Sequence, residues 1–551
     1  MKEFIVARIF FLLFSFVGLC RTQDITFGGT VKDSLSLVGI DSARVDIVNT
    51  TNPLEKYSVF TNVNGQWLYS FYSTHVEKSN ALPLSFELKQ NFPNPFNPST
   101  TIHFSIRSAG AATMSVYNSI GQLLDERTFA VVPGEYSIKW TSKGAAGVLF
   151  YSLRCGNQQM TRKMIQLDGG DGVGLSSPVL THGITTSSSL AKQTAGEYLI
   201  TVSKIGYEPD STLVQPLNNP NINFTLTTVH QRAFVIDLHN DILELVVNGY
   251  QMGVRHTTNQ SDLPRFREGG VDAQMLSLWV DPNEFPSPLS YPRVLEMADS
   301  FQSQLTKNAS LMVHAKTLAE IQAAHATEKF AGIYGVEGGH AIEDDLNKLI
   351  ALYHLGARYM TITWNNSTSW ATSAADPLSA SKGLDDFGRQ VIKTMDSLGM
   401  IIDVSHTGIK TIDDILAITK NPIIASHSGV RALRNHYRNL TDDQIIKIAQ
   451  SGGVIGVVFY TSFLSSAPRS TVNIDTVIKH IDYIKNLVGI DYIAIGADYD
   501  GGITAPVGLE DVSKMPALTL ALLKHGYTTA DVRKILGGNF MRVFKQVCEH
   551  E

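Results

Sequence analysis

Ile-Ala-Ile-Gly-Ala-Asp-Tyr-Asp-Gly (493–501) is a short apolar run that ends in two carboxylates, and four other runs after residue 230 share its plan. They are Phe-Val-Ile-Asp-Leu-His-Asn-Asp (234–241), Ile-Tyr-Gly-Val-Glu-Gly-Gly-His (333–340), Met-Ile-Ile-Asp-Val-Ser-His (400–406) and Ile-Ile-Ala-Ser-His-Ser (423–428). Each reads as a buried strand with a His, Glu or Asp at its C-terminal end. Parallel barrel strands place such ends around one mouth, so residues far apart in sequence converge. Working outward, eight strands are expected at 234–238, 273–279, 332–336, 359–363, 400–404, 422–426, 453–459 and 492–496. Helical periodicity fills the gaps at 344–355, 383–398, 411–419, 442–450 and 474–487. Alternation of this kind predicts a parallel (β/α)8 barrel of the TIM type over residues 230–551.

The chain has 551 residues, too many for one core, so two to four domains are expected. Apolar content of 43% and charged content of 17% describe a globular protein. A net charge of −6 without a long basic run gives no reason to expect a nucleic-acid partner.

Residues 1–20 read as a signal peptide. Lys2 and Arg8 precede an apolar run from Ile9 to Leu19, and Gly18-Leu19-Cys20 offers a cleavage site. The run is too short to span a bilayer, so export to the periplasm, cell surface or medium is expected, with no transmembrane anchor. Leu19 is a poor match to the small residue that a lipoprotein site wants before Cys20. Only Cys155 and Cys548 would remain, which excludes a Cys-rich metal site and makes a disulfide framework unexpected.

The N-terminal part is all-β. Alternating apolar residues recur at 26–50, 57–71 and 196–227, with Gly, Asn and Asp at the turns. Gly29-Thr-Val-Lys-Asp and Phe60-Thr-Asn-Val-Asn-Gly-Gln resemble the opening of a carboxypeptidase regulatory-like β-sandwich, and 196–227 looks like its last strands. Between them, Gln90-Asn-Phe-Pro-Asn-Pro-Phe-Asn-Pro-Ser-Thr-Thr-Ile-His-Phe-Ser-Ile resembles the start of a type IX secretion sorting domain, as do Val116-Tyr-Asn-Ser-Ile-Gly-Gln and Gly147-Val-Leu-Phe-Tyr-Ser-Leu further on. The expected plan is one sandwich in two parts (25–75 and 196–227), a sorting-like sandwich at 83–167 and a Gly/Ser/Thr-rich linker at 168–195. The sorting-like segment departs from its family in lying mid-chain. No catalytic set is recognisable here, and the partner of this β-module is unknown.

The strand ends carry the chemistry. His239 and Asp241 are two apart, so in extended chain they share a face and can reach one ion. Glu337, followed by two glycines, can bridge two cations at a crowded place. His406 and His427 end consecutive strands and would stand side by side. Each alone is more simply a satisfied loop residue; the set at successive strand ends outweighs its members. A carboxylate such as Asp498 facing an activated water can accept its proton and return it to a leaving amine. Residues and spacing alone reach a metal-assisted hydrolase of unresolved substrate.

From about 232 to 547 the chain resembles the membrane (renal) dipeptidase family, the M19 peptidases. The matching motifs are Asp237-Leu-His-Asn-Asp, Asp262-Leu-Pro-Arg-Phe-Arg-Glu-Gly-Gly-Val, Gly335-Val-Glu-Gly-Gly-His, Ile402-Asp-Val-Ser-His, Ala425-Ser-His-Ser, Gly496-Ala-Asp-Tyr-Asp-Gly and Gly508-Leu-Glu-Asp-Val-Ser-Lys. The resemblance implies two Zn2+ ions, with His239 and Asp241 on one, His406 and His427 on the other, and Glu337 between them. It implies a dipeptide substrate cleaved through a metal-bridging hydroxide, Asp498 as proton shuttle, and Arg438 holding the substrate carboxylate. Where the family often has a substrate-contacting His, this chain has Trp364, which can stack and donate one N–H but carries no proton at neutral pH. The alternatives are a hydrolase of another small amide or a lactam, and an inactive barrel on a surface-binding protein. A homodimer is among the states the resemblance allows. No hydrophobic tail follows Glu549, so the lipid anchor of animal relatives is not expected.

Overall fold

The computed structural model describes residues 23–73, 86–183, 197–217, 219 and 221–549. The expected signal segment 1–20 and residues 184–195 of the expected linker lie outside them. The chain divides into two compact units, one mainly of residues 70–196 and one of 27–69, 197–215 and 219–551.

The first unit packs two antiparallel sheets. One contains Gly110–Asn118, Leu123–Val131, Gly147–Cys155 and Gln158–Gln166; the other is built on Ser99–Ile106 and Gly134–Gly144. Phe96, Phe104, Trp140 and Tyr151 fill the space between them. Part of the expected linker is strand. Gly170–Leu175 and Val179–Gly183 both pair with Gly134–Gly144. The glycines that suggested flexibility permit close approach, because a Cβ at Gly172 would lie 2.5 Å from the Ser142 carbonyl oxygen.

In the second unit, strands far apart in sequence meet. Arg44–Asn49 pairs with Tyr198–Ser203 over six residues, and Gln23–Asp33 runs parallel to Phe224–Leu226. Phe27, Ile47 and Ile200 are fully buried among these strands.

The remainder is a closed eight-stranded parallel barrel: β1 (Ile236–Asn240), β2 (Ala273–Trp279), β3 (Phe330–Glu337), β4 (Ala357–Thr361), β5 (Ile401–Asp403), β6 (Ile424–Ser428), β7 (Val454–Val457) and β8 (Ile493–Ile495). Pairing of β2 with β3 and of β8 with β1 completes the ring. A short strand, Met312–His314, adds to the outside of β3. Side chains alternate between two cores, as the pleat requires. Ile236, Leu238, Ala331, Ile333, Ile401, Ile424 and Ala494 share the inner core with Phe540, Val543 and Phe544 of the C-terminal helix. Tyr334, Val336, Ile402, Ala425 and Ile495 face the outer helices. Among the described residues, no helix is long and apolar enough to cross a membrane.

Candidate active site

Alternation along each strand decides which tip residues face the barrel axis. Glu337 has the parity of the inward Ala331 and Ile333, and Asp498 that of Ala494, so both continue the inner face. His239 and His427 have outward parity. The register of β1 shifts between Asp237 and Asn240, and that of β6 between Ala425 and Ser428, and these irregularities turn both imidazoles inward. His406 reaches the mouth through a left-handed backbone, φ 64°, and Asp498 and Asp500 are left-handed at φ 66°. Residues outside glycine are rarely held there, at a cost of roughly 1–3 kcal/mol, and such residues cluster at functional sites.

The result is one dense cluster. His239 Nε2 lies 3.2 Å from Glu337 Oε2, 3.5 Å from Asp241 Oδ2 and 4.0 Å from Asp498 Oδ1. His406 Nε2 and His427 Nε2 are 3.0 and 3.6 Å from the other Glu337 oxygen. The two nitrogens themselves are 3.0 Å apart. His239 is fully buried beneath a cavity of about 520 Å3, and the other seven residues expected at the site line that cavity, Arg438 and Trp364 included.

Partners behind the imidazoles set their tautomers. His239 Nδ1 is 2.9 Å from the Tyr359 hydroxyl, which donates to the Leu238 carbonyl. His406 Nδ1 is 3.1 Å from Asn365 Oδ1. His427 Nδ1 is 2.9 Å from Ser426 Oγ, which donates to Asp403. In each case the hydrogen-bond network assigns the proton to Nδ1 and leaves an Nε2 lone pair aimed at the mouth. Two lone pairs 3.0 Å apart repel unless a positive charge lies between them.

Electrostatics agree with a cation site. Burial, reinforced by Arg438, lowers the pKa of His406 to about 3, and burial with the neighbouring His239 holds His427 well below the ordinary value. Both are neutral at neutral pH, with a lone pair free to donate. Burial opposes protonation of His239 too, yet Tyr359, Glu337 and Asp241 raise its pKa well above normal. The carboxylates demand positive charge at that point, from a proton or from a metal. His239 Nε2 and Asp241 Oδ1 are buried without hydrogen-bond partners, as ligand atoms awaiting a cation would be. The donor set of imidazoles and carboxylates suits zinc or a similar divalent ion.

Asp498 differs from Glu337, whose pKa, against the effect of burial, the neighbouring His239 and His406 hold well below the usual range. Burial, and then the nearby Asp241 and Glu337 charges, push its pKa well above the usual range. Arg438 is also buried, and its Nε has no partner; one Nη donates weakly to the His427 carbonyl at 3.4 Å. Trp364 packs against Trp279, ring centroids 5.1 Å apart, and its ring lies 6.2 Å from His406.

Several contributors are not evident from strand ends. Tyr359 lies mid-strand, and it fits because Gly335 on β3 has no side chain; a Cβ there would come within 2.2 Å of the Tyr359 ring. Asp403 accepts from Ser405 N, Ser426 N and Thr361 Oγ1, which locks the tips of β4, β5 and β6 together. It sits within one of the quoted runs, so the motif contained it without revealing its task. Asp500, beside Asp498, turns away and accepts from the Gln260 amide.

Residues 225–551 match the family model of membrane dipeptidase (peptidase family M19), and residues 90–166 match the secretion system C-terminal sorting domain, which marks an exported chain. Among solved structures, the dipeptidase AC, a metallopeptidase of family M19, is 29% identical with a TM-score of 0.53, over 57% of this chain and 98% of that one. A metallopeptidase from Rhodobacter sphaeroides, liganded with a phosphinate mimic of the dipeptide L-Ala-D-Ala, is 27% identical with a TM-score of 0.54, over 57% and 99%. The probable dipeptidase PvdM from Pseudomonas aeruginosa shares the fold at 23% identity and a TM-score of 0.55, over 58% and 96%.

Proposed function

The chain belongs to the membrane dipeptidase family, peptidase family M19, and from that premise we propose that it is an exported zinc-dependent dipeptidase. One observation carries the reading: three imidazole Nε2 atoms and three carboxylates converge at the barrel mouth in the same cavity as a buried, incompletely paired arginine. His239 and Asp241 would hold one zinc, His406 and His427 a second, with Glu337 shared between them. Bound there, the two cations would supply Lewis-acid polarisation of the scissile carbonyl and an acidic water.

The chain's own residues do the rest. The Arg438 guanidinium receives the C-terminal carboxylate of the substrate, which satisfies its free Nε and fixes the register of the peptide. Asp498, at the rim of the cluster, accepts a proton from the attacking water and returns it to the leaving amine. Its raised pKa suits a group that must hold a proton for part of the cycle. Trp364 and Trp279 form an indole wall that shields the site from water. A cavity of about 520 Å3 accommodates a dipeptide and falls within the ordinary range for small-ligand sites. The dipeptide mimic bound by the Rhodobacter sphaeroides neighbour supports this substrate class.

The test is hydrolysis of a panel of L-L and L-D dipeptides by the purified protein, stripped of metal and then reloaded with zinc. Amino-acid release should vanish with the metal and return with two zincs per chain. No turnover with both zincs bound would sink the dipeptidase reading while leaving the metal site standing.

A further inference from the structure

The cavity mouth is charged asymmetrically. After β1 and β2 it carries Glu244, whose pKa is raised by burial first, then by Asp241 and Glu284, and least by Asp281, against a lowering by Arg293. The loop after β6 carries Arg431, Arg434 and Arg438. In a ring of eight, β1 and β6 stand three strands apart, so these groups face each other nearly across the mouth. The basic side is largely occupied: Arg431 donates to the carbonyls of His436, Tyr437 and Asn439, and Arg434 to that of Ser462. Arg438 keeps a free donor.

Glu244 is the acidic counterpart of Arg438. It sits on the short helix Ile242–Val247, directly after β1, and lines the same cavity. Its carboxylate has no hydrogen-bond or ion-pair partner among the described residues. Arg293, the cation whose charge acts on Glu244, is engaged by Glu296 and Asn248. A half-buried carboxylate left unpaired in a cavity costs free energy that a cationic ligand would recover.

Resting on the dipeptidase reading, we propose that Glu244 receives a positively charged nitrogen of the substrate, so that Arg438 and Glu244 grip a zwitterion by its two ends. The charged nitrogen is the free α-ammonium or a basic side chain. In either case the pair orients the peptide along the line from β6 to β1; where the α-ammonium is the anchor, blocked peptides lose it. Glu244 touches the substrate away from the reacting atoms and acts as a specificity residue.

The experiment compares wild type with Glu244→Gln, which keeps shape and removes charge, in the zinc-loaded full chain, with zinc content as the check on folding. Substrates are Ala-Ala, Lys-Ala and their Nα-acetylated forms. Expected is a rise in KM of about tenfold for Ala-Ala in the variant, and no change in KM for acetyl-Ala-Ala. A loss confined to the Lys peptides, acetylated or not, would assign the contact to the basic side chain. Equal effects on charged and uncharged substrates, or none, would overturn the proposal. A second arm needs no turnover: calorimetric binding of a phosphinate Ala-Ala mimic with free or acetylated amine. If the α-ammonium is the anchor, wild type should favour the free amine about tenfold and Glu244→Gln should not; equal binding by wild type, together with no effect of the variant on the Lys peptides, overturns the proposal. That preference without hydrolysis of any dipeptide would sink the dipeptidase reading and leave Glu244 in place.

Discussion

Asp498 is a buried carboxylate within 4.0 Å of His239 Nε2, held in a left-handed backbone and crowded by Gly501, where a Cβ would lie 3.0 Å from its Oδ1. Such fixing suits proton transfer, where placement matters more than affinity. Asp498→Asn keeps size and polarity but cannot accept the proton. It is expected to lower kcat by about 10²–10⁴-fold, with zinc content unchanged by elemental analysis. A parallel loss of zinc would recast Asp498 as a ligand. At this scale the sequence was informative where chemistry and position coincide: His, Asp and Glu at the ends of apolar runs are unusual enough to stand out as a set. Tyr359, Ser426 and Asn365 were not legible, because a tyrosine within a strand or an asparagine in a loop has many ordinary reasons to be there. Their role depends on what faces them, such as the bare backbone of Gly335 opposite the Tyr359 ring.

Among elements, the barrel strands were evident from their apolar runs, and each expected strand has a counterpart within a few residues. What the pattern could not supply was the irregularity. Strict alternation would point His239 and His427 outward, and only register shifts in β1 and β6, which depend on neighbouring strands, turn them in. A second device holds the loop after β6. His480, on the helix Ile474–Val488, accepts from the Val430 amide at Nδ1 and donates from Nε2 to the Leu464 carbonyl, both at 3.0 Å. This bridge requires neutral imidazole, and burial lowers the His480 pKa to about 4, against a small opposing effect of the Leu464 hydrogen bond. The unfolded chain binds that proton near pH 6.5, so between about 6.5 and 4 it binds more protons than the folded one. The stabilisation is therefore complete above pH 6.5 and is lost as the pH falls toward 4. Glutamine can span the same two backbone groups without titrating. His480→Gln should thus show a smaller fall in urea stability between pH 7 and pH 5 than wild type, by roughly 2 kcal/mol. Identical pH dependence in the two proteins would mean the bridge does not report on folding. Because the Val430 end leads into the loop bearing Arg438, acid should loosen that arginine before the barrel itself opens.

For the whole molecule, the strand pairing explains how a sorting domain can lie ahead of the barrel. Arg44–Asn49 and Tyr198–Ser203 are adjacent strands of one sheet, and the Thr50 amide donates to the Glu197 carbonyl at 2.9 Å. The chain thus leaves and re-enters this sheet, while residues 70–196 form a unit with its own core of Phe104, Trp140 and Tyr151. Composition exposed the two β-rich flanks and the sorting motif. It misjudged 170–183, because glycine-rich sequence looks alike whether it is a flexible tether or a strand lying close against its neighbour. The groups proposed to hold metal and substrate all lie beyond residue 236, so chemistry should not require the inserted unit. Replacing residues 74–196 by a Gly/Ser linker of about ten residues, with a mean reach of roughly 17 Å, should leave a soluble protein with two zincs and wild-type kcat/KM on dipeptides. Its export from cells should fail if the internal sorting domain is read as a terminal one is. A soluble, active and still exported variant would place the export signal elsewhere in the chain. An insoluble one would show that this sheet needs the intervening unit to bring residues 44–49 and 198–203 together, a cost of loop closure that grows only slowly with length and that a short linker should already meet.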